Sequence, residues 1–228
     1  MTGTAFALVL ARTAGMTLAA PALGDRSLPW AVKAAIAVSL AAVFAPIVAL
    51  PVAPSGWALG VALACEIAIG CALGFGATLV FAGVRAGGSL IDQQMGLSMA
   101  GVLDPFSGEE ESPVARLHLL LALAVYVAAD GHHRLVTGLM ESFHSIPLLG
   151  MADAGLLKGV IGLAGGMFAV ALQVAAPAVL ALLIAGVAMA VVGRTSPEVD
   201  CFAGGFPVRF ILGLAIVAAG LAAVGGLL

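Results

Sequence analysis

The sequence predicts an all-α protein of the integral-membrane type, and three observations carry that expectation. Hydrophobic residues make up 62% of the 228 and charged residues only 9%, against about 25% charged in a soluble globular domain. The charges are spaced so that runs of 18, 32 and 35 charge-free residues remain, close to or well above the roughly 20 apolar residues that a bilayer-spanning helix needs. No stretch alternates apolar and polar side chains as a half-buried strand does. A water-soluble globule is excluded on these grounds.

The formal net charge of -3 is scattered over single residues, and only Glu109 to Glu111 form a run. No basic patch offers itself to nucleic acid or to anionic lipid. Without a Ser/Gly/Pro linker or a low-complexity block, residues 1–228 read as a single domain. Cys65, Cys71 and Cys201 have neither a CxxC nor a zinc-like spacing and are expected to be small core hydrophobes.

The elements follow in order. The opening "MTGTAFALVLARTAGM" has no basic residue ahead of its apolar stretch, as a cleavable signal peptide would, so it is expected to be a retained first membrane helix. Ala34 to Cys65 is one charge-free run, but Pro46, Pro51, Pro54 and Gly56 divide it into two helices and a turn. Ile67 to Val84 is the next apolar run, ending at Arg85, and its pair Gly70 and Gly74 permits a close helix contact. Ser112 and Pro113 have the pattern of an N-cap followed by proline at the first helical position. The helix they open runs toward Ala129. It meets Asp130, His132, His133 and Arg134, which would fall near the centre of a span drawn from Leu119 to Met140. At about 2.5 to 3.5 kcal/mol for each central Asp or Arg, lipid exposure is disfavoured there. Ile146 precedes Pro147 and should end that unit.

Asp153 is positioned to cap the next helix. Gly159 to Gly193 is the longest charge-free run; a straight helix of that length would measure roughly 52 Å, so a hairpin or a sharp bend near Pro177 is expected. A polar turn, "GRTSPEVDCFAGGFPVRF", then leads to a last apolar helix from Ile211 to Leu228.

Several constellations invite chemistry. Glu141 and His144 share a helix face at the spacing found in carboxylate-bridged di-iron bundles, but those need the motif twice, with further glutamates. With His118, His132 and His133 they are better read as hydrogen-bonded groups at helix ends or interfaces, with no metal and no cofactor. No serine sits in G-x-S-x-G, and no catalytic residue is expected. Glu66 and Asp92 are intramembrane acids that could serve a proton relay or simply pair with neighbouring helices. Asp92, Gln93 and Gln94 point about 100° apart on a helix, so one neighbour cannot shield them all. They ask for protein or water on several sides, as in an assembly beside an aqueous path or in a re-entrant loop of a transporter.

The block "AGGSLIDQQMGLSMAGVLDP", followed by "SPVARLHLLLALAVYVAADGHHRLVTGLMESFHSIPL" and later "GRTSPEVDCFAGGFPVR", resembles the FliR/SctT family of type III export-apparatus proteins. Arg12, Pro21, Gly24 and Pro29 extend the resemblance to the N-terminal region, and the "DGHH" form is closer to the flagellar members. The chain departs from the pattern at Glu198 and Asp200, where the family more often has glutamine and asparagine.

The resemblance implies bent helical hairpins stacked in the spiral of a multi-subunit export gate in the bacterial inner membrane, at the flagellar basal body. One copy would stand beside five FliP and four FliQ subunits, with FlhB at the closed base, among membrane lipid, passing unfolded flagellar proteins. It implies a pore-side helix over Gln93, Gln94, Met95, Gly96, Leu97 and Ser98. A plug loop maps to Leu103 through Ser112, including Asp104, Pro105, Phe106, Ser107, Gly108, Glu109, Glu110 and Glu111. Subunit contacts fall at Asp130, His132, His133, Arg134, Glu141, Phe143, Arg194, Pro197 and Pro207. The expected role is therefore non-enzymatic, with an injectisome gate subunit or a stand-alone small-molecule or ion transporter as alternatives.

Overall fold

A computed structural model describes residues 3–21, 23–24, 28–48, 54, 56–97, 112–150, 154–195 and 201–225. Among them the regular structure is helical throughout. In order these helices are α1 (Gly3–Ala19), α2 (Trp30–Phe44), α3 (Trp57–Met95), α4 (Pro113–Ala128), α5 (Gly131–Ser145), α6 (Ala154–Thr195) and α7 (Cys201–Gly225). By length and composition Trp57–Met95 and Lys158–Thr195 can each cross a membrane. Two compact units are present: Met1–Phe81 with Ala129–Gly166, and Ala82–Ala128 with Met167–Leu228.

Boundaries set by backbone chemistry fall where the sequence predicts them. The proline cluster separates α2 from α3. Ser112 Oγ accepts the Ala115 N–H at 3.1 Å, which places Ser112 at the N-cap, Pro113 at the first helical position and the satisfied amide at the third. The α5 helix ends at Ser145, and Ile146 turns extended (φ -128°, ψ 87°) ahead of Pro147. Asp153 lies outside the described residues.

Length is where the structure departs from expectation. The helix that holds the run ending at Val84 does not stop at Arg85: α3 spans 39 residues, from Trp57 to Met95. No hairpin forms at Pro177: α6 is one helix of 42 residues with that proline inside it. A single proline removes one i→i−4 bond, and Ala175 and Ala178 beside it are buried against α3 and α7 neighbours in the second unit. The last helix begins at Cys201 rather than Ile211 and carries Pro207 inside; 196–200 lie outside the described residues. Cys65 is exposed and Cys71 half-buried, since on an apolar exterior a small thiol needs no core.

α1 is not a lipid-facing span. Its 17 residues measure about 25 Å, and Leu8, Val9, Arg12, Thr13, Met16 and Thr17 are all essentially inaccessible. It is the interior helix of the first unit. Thr13 Oγ1 donates to the Ala37 carbonyl on α2 at 3.1 Å, and Thr78 Oγ1 on α3 donates to Ala19 O at 2.6 Å. As the Gly70 and Gly74 spacing predicts, α3 presses directly on α1. A Cβ on Gly70 would overlap the Arg12 carbonyl, one on Gly74 would stand 2.5 Å from Met16 O, and Gly15 faces Ile67 in the same way. Such backbone approach is open only to residues without a side chain. In the second unit Gly83 and Gly87 form a similar seam against Met167, Val170, Ala171 and Val174 of α6.

Candidate functional site

Three polar places interrupt this apolar architecture. The first is buried in unit 1. Arg12 Nε and Glu66 Oε2 meet at 2.6 Å, with the two side chains 0% and 2% exposed. Arg12 Nη1 also donates to the carbonyls of Ser142 (3.0 Å) and Ile146 (2.9 Å). Its guanidinium carbon stands 4.4 Å from the centre of the Phe143 ring. The cation therefore sits at the C-terminal end of α5, where the dipole is negative; the Ser142 carbonyl also accepts the Ile146 N–H at 2.9 Å. Glu66 neutralises it and uses its other oxygen to accept the Leu149 N–H at 3.3 Å. Of the two readings of Glu66, the structure shows the paired one. Phe143 is 6% exposed and packs on Phe44 within this core.

Sequence reasoning had only noted Arg12 as part of a motif. The signal available was a lone cation and a lone anion in neighbouring apolar helices, which hydrocarbon or a dry core forces together.

The second place is the end of α3. Gly96 adopts φ 81°, its N–H bonds Gln93 O, and the Leu97 N–H reaches back to Asp92 O at 3.1 Å. This paired closure around a left-handed glycine is a Schellman motif. Hence Gln93 to Ser98 is not a helix throughout: α3 stops at Met95, and Gly96 and Leu97 form its cap. Met95 is 1% exposed in the core of unit 2, pressed against Gly213.

Asp92 is 1% exposed, while Gln93 and Gln94 face outward, which is the divergence expected of three consecutive helical positions. The Ser112 side chain, the Val114 amide and the His118 ring surround the Asp92 carboxyl group, yet neither oxygen closes a full hydrogen bond among the described residues. His118 Nδ1 is committed to Val114 O at 2.8 Å. Ser98 and the plug residues Asp104, Pro105, Phe106, Ser107, Gly108, Glu109, Glu110 and Glu111 lie outside the described residues.

The third place is α5, the one strongly amphipathic helix among the described residues. Leu139, Ser142 and Phe143 face the core, and His132, His133, Arg134, Thr137, Glu141 and His144 face outward. Asp130, in the left-handed region at φ 54°, breaks the chain between α4 and α5. Its Oδ1 stands 3.3 Å from His133 Nδ1 and 3.9 Å from His132 Nε2. Glu141 and His144 do not converge on a partner among the described residues, and His144 Nδ1 donates to Met140 O at 3.1 Å. At the far end of the chain Arg194 and Pro207 are exposed, and Pro197 is outside the described residues.

Residues 4–228 match the profile of the family described as Bacterial export proteins, family 1. The chain belongs to this family. Among the family's proteins, it is 33% identical over 213 residues to the flagellar biosynthetic protein FliR of Escherichia coli, covering 92% of this chain and 81% of that one. The FliR of Bacillus subtilis is 29% identical over 210 residues, 90% and 81% of the two chains. The surface presentation of antigens protein SpaR of Shigella flexneri is 24% identical over 152 residues, 67% and 59%. The resemblance read from the residues is thereby shown, and with it a bacterial export protein carrying membrane-type helices.

Proposed function

We propose that the chain is a non-enzymatic subunit of the flagellar type III protein export gate, seated in the bacterial inner membrane at the base of the flagellum. The observation that carries this reading is the family match over residues 4–228 together with FliR relatives that align along nine-tenths of the chain. One copy would assemble with five FliP, four FliQ and FlhB, in contact with lipid, around a path for unfolded substrates. Exposed apolar side chains support such surroundings. Trp30 and Trp57 are 82% and 83% exposed, and Phe168, Leu172, Leu180 and Ile184 stand out from α6, more apolar surface than a solitary protein presents to water.

Within that reading Gln93 and Gln94 lie on the aqueous side of the gate. They point outward at the end of an otherwise apolar helix, where hydrocarbon would leave their amides unsatisfied. The segment Leu103 to Ser112 is the plug. The outward face of α5, with Asp130, His132, His133, Arg134 and Glu141, meets neighbouring subunits, as do Arg194, Pro197 and Pro207.

A second reading, an injectisome gate subunit, draws on the SpaR relative, which aligns over a shorter stretch at lower identity. Deleting the chain from its own bacterium separates the two. Loss of filaments and motility is the expected result; intact motility with loss of effector secretion would assign the chain to an injectisome, and no change in either would overturn both.

A further inference from the structure

The geometry points to a transition-metal site formed by Asp130, His132 and His133 at the start of α5. We propose that it takes a borderline divalent ion such as Zn²⁺ or Co²⁺. One ligand atom from each residue lies within 4.8 Å of the others, and the two separations to Asp130 Oδ1 are 3.3 and 3.9 Å. Ligands held at about 2.0 to 2.1 Å in a tetrahedron stand about 3.4 Å apart, so the Asp130 oxygen already stands near that spacing from His133 and within about half an ångström of it from His132.

Neighbouring histidines on a helix point in different directions, and the structure resolves this by using different nitrogens. His132 offers the distal Nε2 and His133 the proximal Nδ1 to the same carboxylate oxygen. Their rings lie 4.3 Å apart.

A second observation concerns Asp130 itself. It occupies the N-cap position of α5, where an aspartate ordinarily accepts a hydrogen bond from the second or third amide. Here it makes no such bond, and its carboxylate is turned instead toward the two imidazoles. The negative charge it brings offsets the positive end of the helix, which would otherwise oppose a cation. Two imidazoles and one carboxylate favour zinc, cobalt or nickel over magnesium or calcium, which prefer all-oxygen ligands. All three residues are exposed in the isolated chain, where water can fill the remaining coordination positions.

The test uses the full-length chain, purified in detergent without a histidine tag, titrated calorimetrically with Zn²⁺ and spectroscopically with Co²⁺. The expected result is about one equivalent of zinc and visible cobalt d–d bands of tetrahedral intensity. The double variant H132A/H133A and the near-isosteric D130N should each weaken zinc binding at least tenfold with helix content unchanged. The variant E141Q/H144A should bind as the parent does. Absence of zinc binding, or binding that persists undiminished in H132A/H133A, would overturn the site. Because the readout is metal bound by the isolated chain, it is independent of whether the export gate assembles.

Discussion

Arg12 and Glu66, 54 positions apart in sequence, meet at 2.6 Å with neither side chain reaching the surface. The pair joins α1 to α3, and Arg12 Nη1 holds the end of α5, so one cation ties three helices of the first unit.

Removing one partner should therefore be costly. Arg12→Ala leaves a buried carboxylate without its counter-ion and removes the donor to the Ile146 carbonyl; a loss on the order of 3 to 5 kcal/mol is expected. Glu66→Gln keeps an acceptor and should cost less. Thermal unfolding in detergent, followed by loss of helix content, checks the order of the two variants.

The α1–α3 seam makes a prediction from one methyl group. Gly70→Ala would set its Cβ against the Arg12 carbonyl, displacing backbone rather than a flexible side chain, and should destabilise by about 1 to 3 kcal/mol. Gly138→Ala, on α5 where nothing lies within 4 Å, should be neutral or stabilising by about 0.5 to 1 kcal/mol. Equal losses of melting temperature in the two variants would argue against the close approach.

At the start of α4, Ser112→Ala removes the acceptor for the Ala115 amide. A loss of about 0.5 to 2 kcal/mol is expected for such a cap, concentrated locally. Hydrogen exchange at Ala115 should accelerate while exchange within α1 stays unchanged.

The plug assignment is tested by removing it. Deleting Phe106 to Glu110 leaves the helix-ending Gly96 and the Ser112 cap in place, and cells carrying the deletion should leak small ions. Unchanged membrane permeability, with the protein present at normal level, would sink that assignment.

What the sequence made legible was set by local chemistry. The proline cluster, the Ser112–Pro113 cap and the Ile146–Pro147 stop each act through one or two residues, and the structure places all three where they were expected. The Gly70–Gly74 seam was readable for a similar reason, since only small side chains permit that approach. Helix length was misread because each apolar run was measured against bilayer thickness. The 42-residue α6 continues through Pro177, and α3 carries Arg85 within a continuous helix.

Part of the site was hidden for another reason. Asp92, Gln93 and Gln94 were readable as diverging, and one is buried while two face outward. The Schellman closure at Gly96 and the turn of Asp130 away from its own helix depend on backbone angles that residue types alone leave open. The pairing of Arg12 with Glu66 required knowing which helices touch.

The central claim is membership of a multi-subunit gate, and its most direct test is the native mass of what this chain purifies with when co-expressed with its bacterium's own FliP and FliQ. The account predicts a single species holding one copy of this chain with five FliP and four FliQ, and a chain that is degraded when either partner is omitted. A stable monomer that purifies without them and binds a small solute would contradict it.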